Sequence, residues 1–222
     1  MAKPTANIND RAGAKTGWPF FAGAAALIGF LVLGIFVYLI HIERDARQLV
    51  SSVREVRTTE DAQQVIASWK KRSGSQFWQE SDHVGGDHNY DAQVDNGPVS
   101  LLHIVEPTAV TVGFTMHNNE LRSAVVIMTT GRKQAATSSV WVQEWFEPDS
   151  INRIHVVSKD RPWRATVEFP STVEARQREK AFAFNTKCLI RLGGCKSAED
   201  ILPAVWQLET SLNSGNILML GF

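Results

Sequence analysis

The stretch from Trp18 to Ile40 reads WPFFAGAAALIGFLVLGIFVYLI and contains no charged residue and no Asn, Gln or His. A hydrocarbon core about 30 Å thick is crossed by roughly 20 apolar helical residues. Only a helix closes its own backbone hydrogen bonds in lipid. The run therefore predicts a transmembrane helix over residues 18–40. Trp18 and Phe20 stand at one edge and Tyr38 at the other, where amphipathic rings favour the membrane–water interface. A buried core helix of this length would carry a polar face, and this run has none. A cleaved signal peptide has an apolar region of about 7–15 residues followed by a small-residue site. Here the small residues from Ala22 to Ala26 lie inside the run, and LIHIERDAR follows Tyr38. The expectation is an uncleaved signal anchor. Ala22 with Ala26, and Ala25 with Gly29, form small-xxx-small pairs that admit a homodimer through this helix.

Outward from the span, residues 1–17 are small and polar, without periodicity, and read as a flexible tail. Residues 41–222 form one soluble domain's worth of sequence, long enough to bury a core. The whole chain of 222 residues carries 23 Lys and Arg against 23 Asp and Glu. The tail accounts for Lys3, Arg11 and Lys15 against Asp10, which leaves 20 positive and 22 negative charges beyond it. That balance supplies no basic footprint for nucleic acid. Charge does not fix orientation, because Lys3, Arg11 and Lys15 before the span face Arg44, Arg47, Arg54 and Arg57 after it. The layout of a short tail, one anchor and one domain favours an extracytoplasmic domain. So do Cys188 and Cys195, which suit a disulfide outside a reducing cytosol.

Along the domain, HIERDARQLVSSVREVR continues the helix into water, with an apolar stripe of Leu49, Val50, Val53 and Val56. Thr58 and Asp61 then cap a second helix whose acids lie in its first turn and whose Lys70, Lys71 and Arg72 lie in its last. Val65, Ile66 and Trp69 supply its core face. Gln76 to Pro98 reads as a long loop, and long loops are often functional. SLLHIVE, the two halves of TAVTVGFTMHNNELRSAVVIMTTG around a turn at His117–Glu120, SSVWVQEWF, INRIHVVS and RATVEFP read as strands. Together they predict an antiparallel β-meander packed against helices, an α+β fold. STVEARQREKAFAFN returns to helix. SAEDILPAVWQL is a last helix capped by Ser197 and Asp200, with Pro203 tolerated near its start.

Cys188 and Cys195 enclose LIRLGG, whose two glycines allow a tight disulfide loop. The stretch SDHVGGDHNYDAQVDNG holds the strongest metal-like grouping, with Asp82, His83, Asp87, His88 and Asp91 close together. Asp87, Asn89 and Asp91 match the first positions of a calcium loop, but Ala92 and Pro98 stand where that loop needs Gly and Glu. His83 and His88 have no zinc spacing. The ordinary reading of this segment is a solvated turn. His103 and His155 sit in apolar strand contexts and read as packed residues. Arg132, Lys133, Arg161 and Arg164 form small basic spots that read as solvated turns.

No nucleophile elbow, phosphate loop or zinc-protease motif is present, and no cofactor is implied. The expectation is an interaction or scaffold protein held in the cell membrane by one pass, with other membrane or envelope proteins as partners. An exposed patch on one sheet face, or the apolar end ILMLGF, would be its docking surface. A ligand- or cation-binding domain using the Asp82–Asp95 loop, with Trp69, Trp78, Trp141 and Trp145 lining a pocket, is the first alternative. A hydrolase with a scattered site is the second.

Overall fold

A computed structural model describes residues 18–71, 78–82, 86–131, 138–147, 151, 154–160 and 163–208. The tail 1–17, His83, Arg132, Lys133, Arg161 and the apolar end at Ile217–Phe222 lie outside the described residues. The chain divides into two units between Tyr38 and Leu39. Helix α1 (Trp18–Glu55) runs across that division. Between Gly23 and Val37 every residue but Ile35 is exposed, with Phe30 at 76% and Leu27 at 62%. By length and composition it is apolar enough to be a membrane anchor or a signal sequence.

From Leu39 onward the pattern changes. Ile42, Ala46, Leu49, Val50 and Val53 are buried, followed by Val56. Their three- and four-residue spacing is the amphipathic stripe expected of a helix at a domain surface. Helix α2 (Thr59–Lys71) starts at a reciprocal cap. Asp61 N donates to Thr58 Oγ1 at 3.2 Å, and Thr58 N and Arg57 N donate to Asp61 Oδ2 at 3.0 and 2.9 Å. Asp61 N and Thr58 N, orphan donors of the helix start, are thereby satisfied reciprocally, and the same carboxylate holds Arg57 N ahead of the cap. Ala62, Ile66 and Trp69 face the core, whereas Val65 is only half-buried.

The sheet has seven strands: β1 (Trp78–Asp82), β2 (Asp87–Asp95), β3 (Thr108–His117), β4 (Glu120–Thr130), β5 (Ser138–Trp145), β6 (His155–Asp160) and β7 (Trp163–Pro170). Their spatial order is β1-β2-β3-β4-β5-β7-β6. All neighbours are antiparallel except β5 and β7, which are parallel because the β6–β7 hairpin inserts β7 next to β5. The expected simple meander is therefore interrupted once. The β3–β4 turn falls at His117–Glu120 as the sequence predicts, with Asn118 and Asn119 at φ of 50° and 65°. Asparagine tolerates that left-handed backbone, which a tight hairpin turn requires.

Three further segments differ from the sequence expectation. Within the segment 76–98, expected as a loop, the described residues contain β1, β2 and the start of α3 (Gly97–Ser100). In β2 the polar side chains Asp87, Asn89, Asp91, Gln93 and Asp95 fall on one face and His88, Tyr90, Ala92 and Val94 on the other. Turn-like composition thus hides a period-two strand. SLLHIVE, expected as a strand, contains the end of α3 and a turn, because Pro98 suits the first turn of a helix. α4 (Ala175–Ala181) is shorter than expected, and the expected last helix is interrupted: α5 (Ala198–Ile201) ends and helical backbone resumes at 205–208. Asp200 N donates to Ser197 Oγ at 3.2 Å, so the predicted cap forms, but α5 stops before Pro203.

One face of the sheet is covered. Trp69 of α2 stacks on Phe114 of β3 at 5.2 Å, and Phe182 after α4 meets Phe169 of β7 edge-on at 5.6 Å. Val110, Val112, Val126, Val140, Val142, Ala165 and Val167 fill this side with no exposure. Within it lies a buried ion pair. Arg178 of α4 donates from Nε to Glu144 Oε1 and from Nη2 to Glu144 Oε2, both at 2.6 Å. Its remaining donors reach the C-terminal end of α1, with Nη2 to Val56 O at 2.8 Å and Nη1 to Arg54 O. The guanidinium caps carbonyls that the helix leaves unpaired and meets the negative end of its dipole.

Candidate functional site

The opposite face of the sheet is open. One register row crosses it through Thr111, Ile127, Trp141, Thr166 and Val157, each opposite the next. Trp141 is 44% exposed and Val157 49% exposed. Strand alternation puts them here: Val140 and Val142 point into the core, so Trp141 between them points out. Arg164 and Glu168 flank Thr166 on β7, and the rows beside Trp141 carry Ser139 and Gln143. An aromatic centre with a polar surround is the composition of a protein-binding patch.

A charged corner closes this face near the β3–β4 turn. Asp87 at the start of β2 lies 2.8 Å from His117 Nδ1 through Oδ1, and its Oδ2 accepts from Arg122 Nη1 at 2.9 Å. Arg122 reaches this position because a bulge between β3 and β4 leaves it as the extra residue, re-aimed toward the open face. Its Nε lies 2.9 Å from Glu147 Oε1. The hydrogen bond with His117 holds the Asp87 carboxyl below the usual aspartate value, and the Arg122 cation adds to the shift. An aspartate bound to one imidazole nitrogen orients the ring. A hydrolytic dyad also needs a nucleophile within hydrogen-bond reach, and among the described residues no hydroxyl or thiol is hydrogen-bonded to His117. Asn89 Oδ1, on the same face, is buried without a hydrogen-bond partner among the described residues.

The residues singled out from sequence separate. Asp82 ends β1 opposite His88. His88 lies on the covered side of β2, whereas Asp87 and Asp91 lie on the open side. Asp91 extends across Gly113, where a Cβ would lie 2.1 Å from its Oδ1. Only glycine allows that approach. Among the described residues no three of His, Cys, Asp and Glu are grouped to hold a metal ion. Trp69 and Trp141 fall on opposite faces and do not line one pocket. His103 lies in an exposed turn at φ 58°, and His155 opens β6 opposite Glu168. Cys188 and Cys195 form the expected disulfide. The Asp87–His117–Arg122 corner and the Arg178–Glu144 pair have no local sequence signal, because their partners are 30 or more positions apart.

A concavity of about 710 Å³ opens where β2 ends and β3 begins, lined in part by Asp95, Ser100, Leu101, His103, Thr108 and Thr129. No protein-family model, curated protein or solved structure matches the chain.

Proposed function

We propose that this protein is a single-pass membrane protein in which the N-terminal part of α1 is an uncleaved anchor presenting the α+β domain outside the cytoplasm. There the domain works as a scaffold or accessory subunit for other membrane or envelope proteins. The observation that carries the reading is the open sheet face centred on Trp141. Its exposed aromatic and aliphatic row lies within a polar surround, the character of a protein-docking surface. The Cys188–Cys195 disulfide supports an oxidising compartment. Anchoring raises the local concentration of such a face around other membrane components, so modest affinity suffices.

The test is photo-crosslinking in intact cells, with a photoreactive residue placed at Trp141 or, as a control, at exposed Arg176 of α4. The expected result is a discrete protein adduct at position 141 that is missing at 176 and is competed by unlabelled chain. Equal or absent adducts at the two positions contradict the docking role.

A further inference from the structure

Two loops at the far end of β2 are fastened into one unit. Asn96 is fully buried, and its side chain is fully used. Nδ2 donates to Glu106 O at 2.9 Å and to Leu189 O at 2.8 Å, while Oδ1 accepts from Thr108 N at 2.8 Å. One amide therefore ties together the end of β2, the start of β3 and the 3-10 turn Thr186–Leu189. The disulfide closes the loop that follows, and a backbone bridge pairs Val105 with Leu192. Gly194 presses on Glu106, where a Cβ would come within 2.6 Å. Between the fastened ends the chain turns through His103 in the left-handed region, a conformation that surrounding structure must enforce.

This clamped framework exposes aliphatic side chains. Leu101 is 79% exposed, Leu102 58%, Ile104 39% and Leu192 74%. A domain that uses Val99, Val105 and Leu189 as core here gains nothing in its own fold from four leucine-like tips in water. Exposed apolar residues of this kind mark a contact with protein or membrane. Two features favour a membrane. The tips are Leu and Ile, and Leu is under-represented among protein hot spots. Arg191 lies within the disulfide loop and Lys187 and Lys196 flank it, all three exposed, with Glu106 against Gly194 as a nearby acid. Asp200 pairs with Arg191 at 3.2 Å and accepts from Lys196 N, so it offsets part of that charge. Apolar tips beside Lys and Arg are the chemistry of insertion at an anionic lipid surface.

We infer that the Leu101–Ile104 turn and the Cys188–Cys195 loop form a peripheral contact with the anionic surface of a bilayer, in addition to the α1 anchor. The inference rests on the anchor reading given above. Because the anchor keeps the domain beside lipid, four tips and a few cations suffice for a contact that a free domain would make only transiently.

The experiment reconstitutes the full chain in nanodiscs of phosphatidylcholine alone and of phosphatidylcholine mixed with phosphatidylglycerol, and follows hydrogen–deuterium exchange. Peptides covering 99–105 and 188–195 are expected to exchange more slowly in the anionic discs, by roughly fivefold or more, which one cation's attraction to an anionic surface supplies. Peptides from β3 and β4 are expected to match in both discs. A Leu102→Asp, Leu192→Asp variant is expected to lose the difference while β3 and β4 keep their protection, which separates lost contact from lost fold. Equal exchange of both loops in the two disc types overturns the inference and leaves the anchor standing. Protection that grows with protein concentration in detergent assigns the tips to a second copy and also overturns it. A chain that fails to stay with the discs overturns the anchor reading and this inference together.

Discussion

Arg178–Glu144 and Asp87–His117–Arg122 are built from the same kinds of group on opposite faces of one sheet, and they differ in solvent. Both members of the first pair have no exposure. In the second, His117 is 41% exposed, Arg122 35% and Asp87 25%. A buried pair loses hydration on both ions, and it persists only when geometry and further hydrogen bonds compensate. Arg178 meets that condition with two bonds to Glu144 and others to the end of α1. The corner is screened by water, stabilises little, and stays accessible to a partner or a proton. The covered face is therefore where the fold is held, and the open face is where it can act.

The largest effect should come from breaking the buried pair. Arg178→Met leaves Glu144 uncompensated and is expected to destabilise by about 3–5 kcal/mol in denaturant unfolding. Adding Glu144→Leu should recover much of that loss, because two apolar groups of similar volume replace two desolvated ions. A double variant as unstable as the single one would mean that capping α1, rather than the ion pair, dominates. The tryptophans sharpen the same contrast. Trp69→Ala should cost about 3–5 kcal/mol, since it empties a packed site against Phe114. Trp141→Ala should cost less than about 1 kcal/mol in the same assay while weakening the adduct formed by a photoreactive residue at Val157 in the same row. Reducing Cys188–Cys195, seven positions apart, should cost roughly 2–3 kcal/mol in the chain-entropy picture, read as a lower melting temperature.

The smallest effect belongs to the charged corner and concerns pH. The folded-state pKa of Asp87 lies below the usual aspartate value of 3.8. Its stabilisation is therefore complete above that value and is lost as pH falls through the lower folded-state pKa. Asp61 and Asp200 are shifted in the same direction, chiefly by backbone hydrogen bonds from Arg57 and Lys196. Asp87→Asn should leave stability at neutral pH little changed and make the decline on acidification shallower, seen by repeating unfolding at stepwise lower pH. A decline as steep as that of the parent would place the acid sensitivity elsewhere.

The two faces also differ in how far the sequence reveals them. Helical features carry local signals. The apolar run after Trp18, the stripe from Leu49 to Val56 and the Thr58–Asp61 cap are each visible within a few residues, and the structure has all three. The turn at Asn118–Asn119 is legible for the same reason. β2 is not, because its outward side chains are Asp, Asn and Gln, residues with turn propensity, and only pairing with β3 makes the strand. The pairing of β5 with β7 depends on where the β6–β7 hairpin lands, which no local pattern encodes. The corner is hidden twice over: Asp87 meets His117 and Arg122 only across strands, and a bulge aims Arg122. From sequence Asp87 reads as one member of a metal-like cluster, whereas in the structure its carboxylate is engaged by an imidazole and a guanidinium.

An open face serves partners only on the side of the membrane where the domain is displayed. Treating intact cells with a membrane-impermeant amine reagent and mapping the modified lysines tests that display directly. Lys70 and Lys71, at the exposed end of α2, are the reporters. Both are expected to be modified before lysis, to the same extent as after it. Modification that requires lysis would put the domain in the cytoplasm and overturn its display outside.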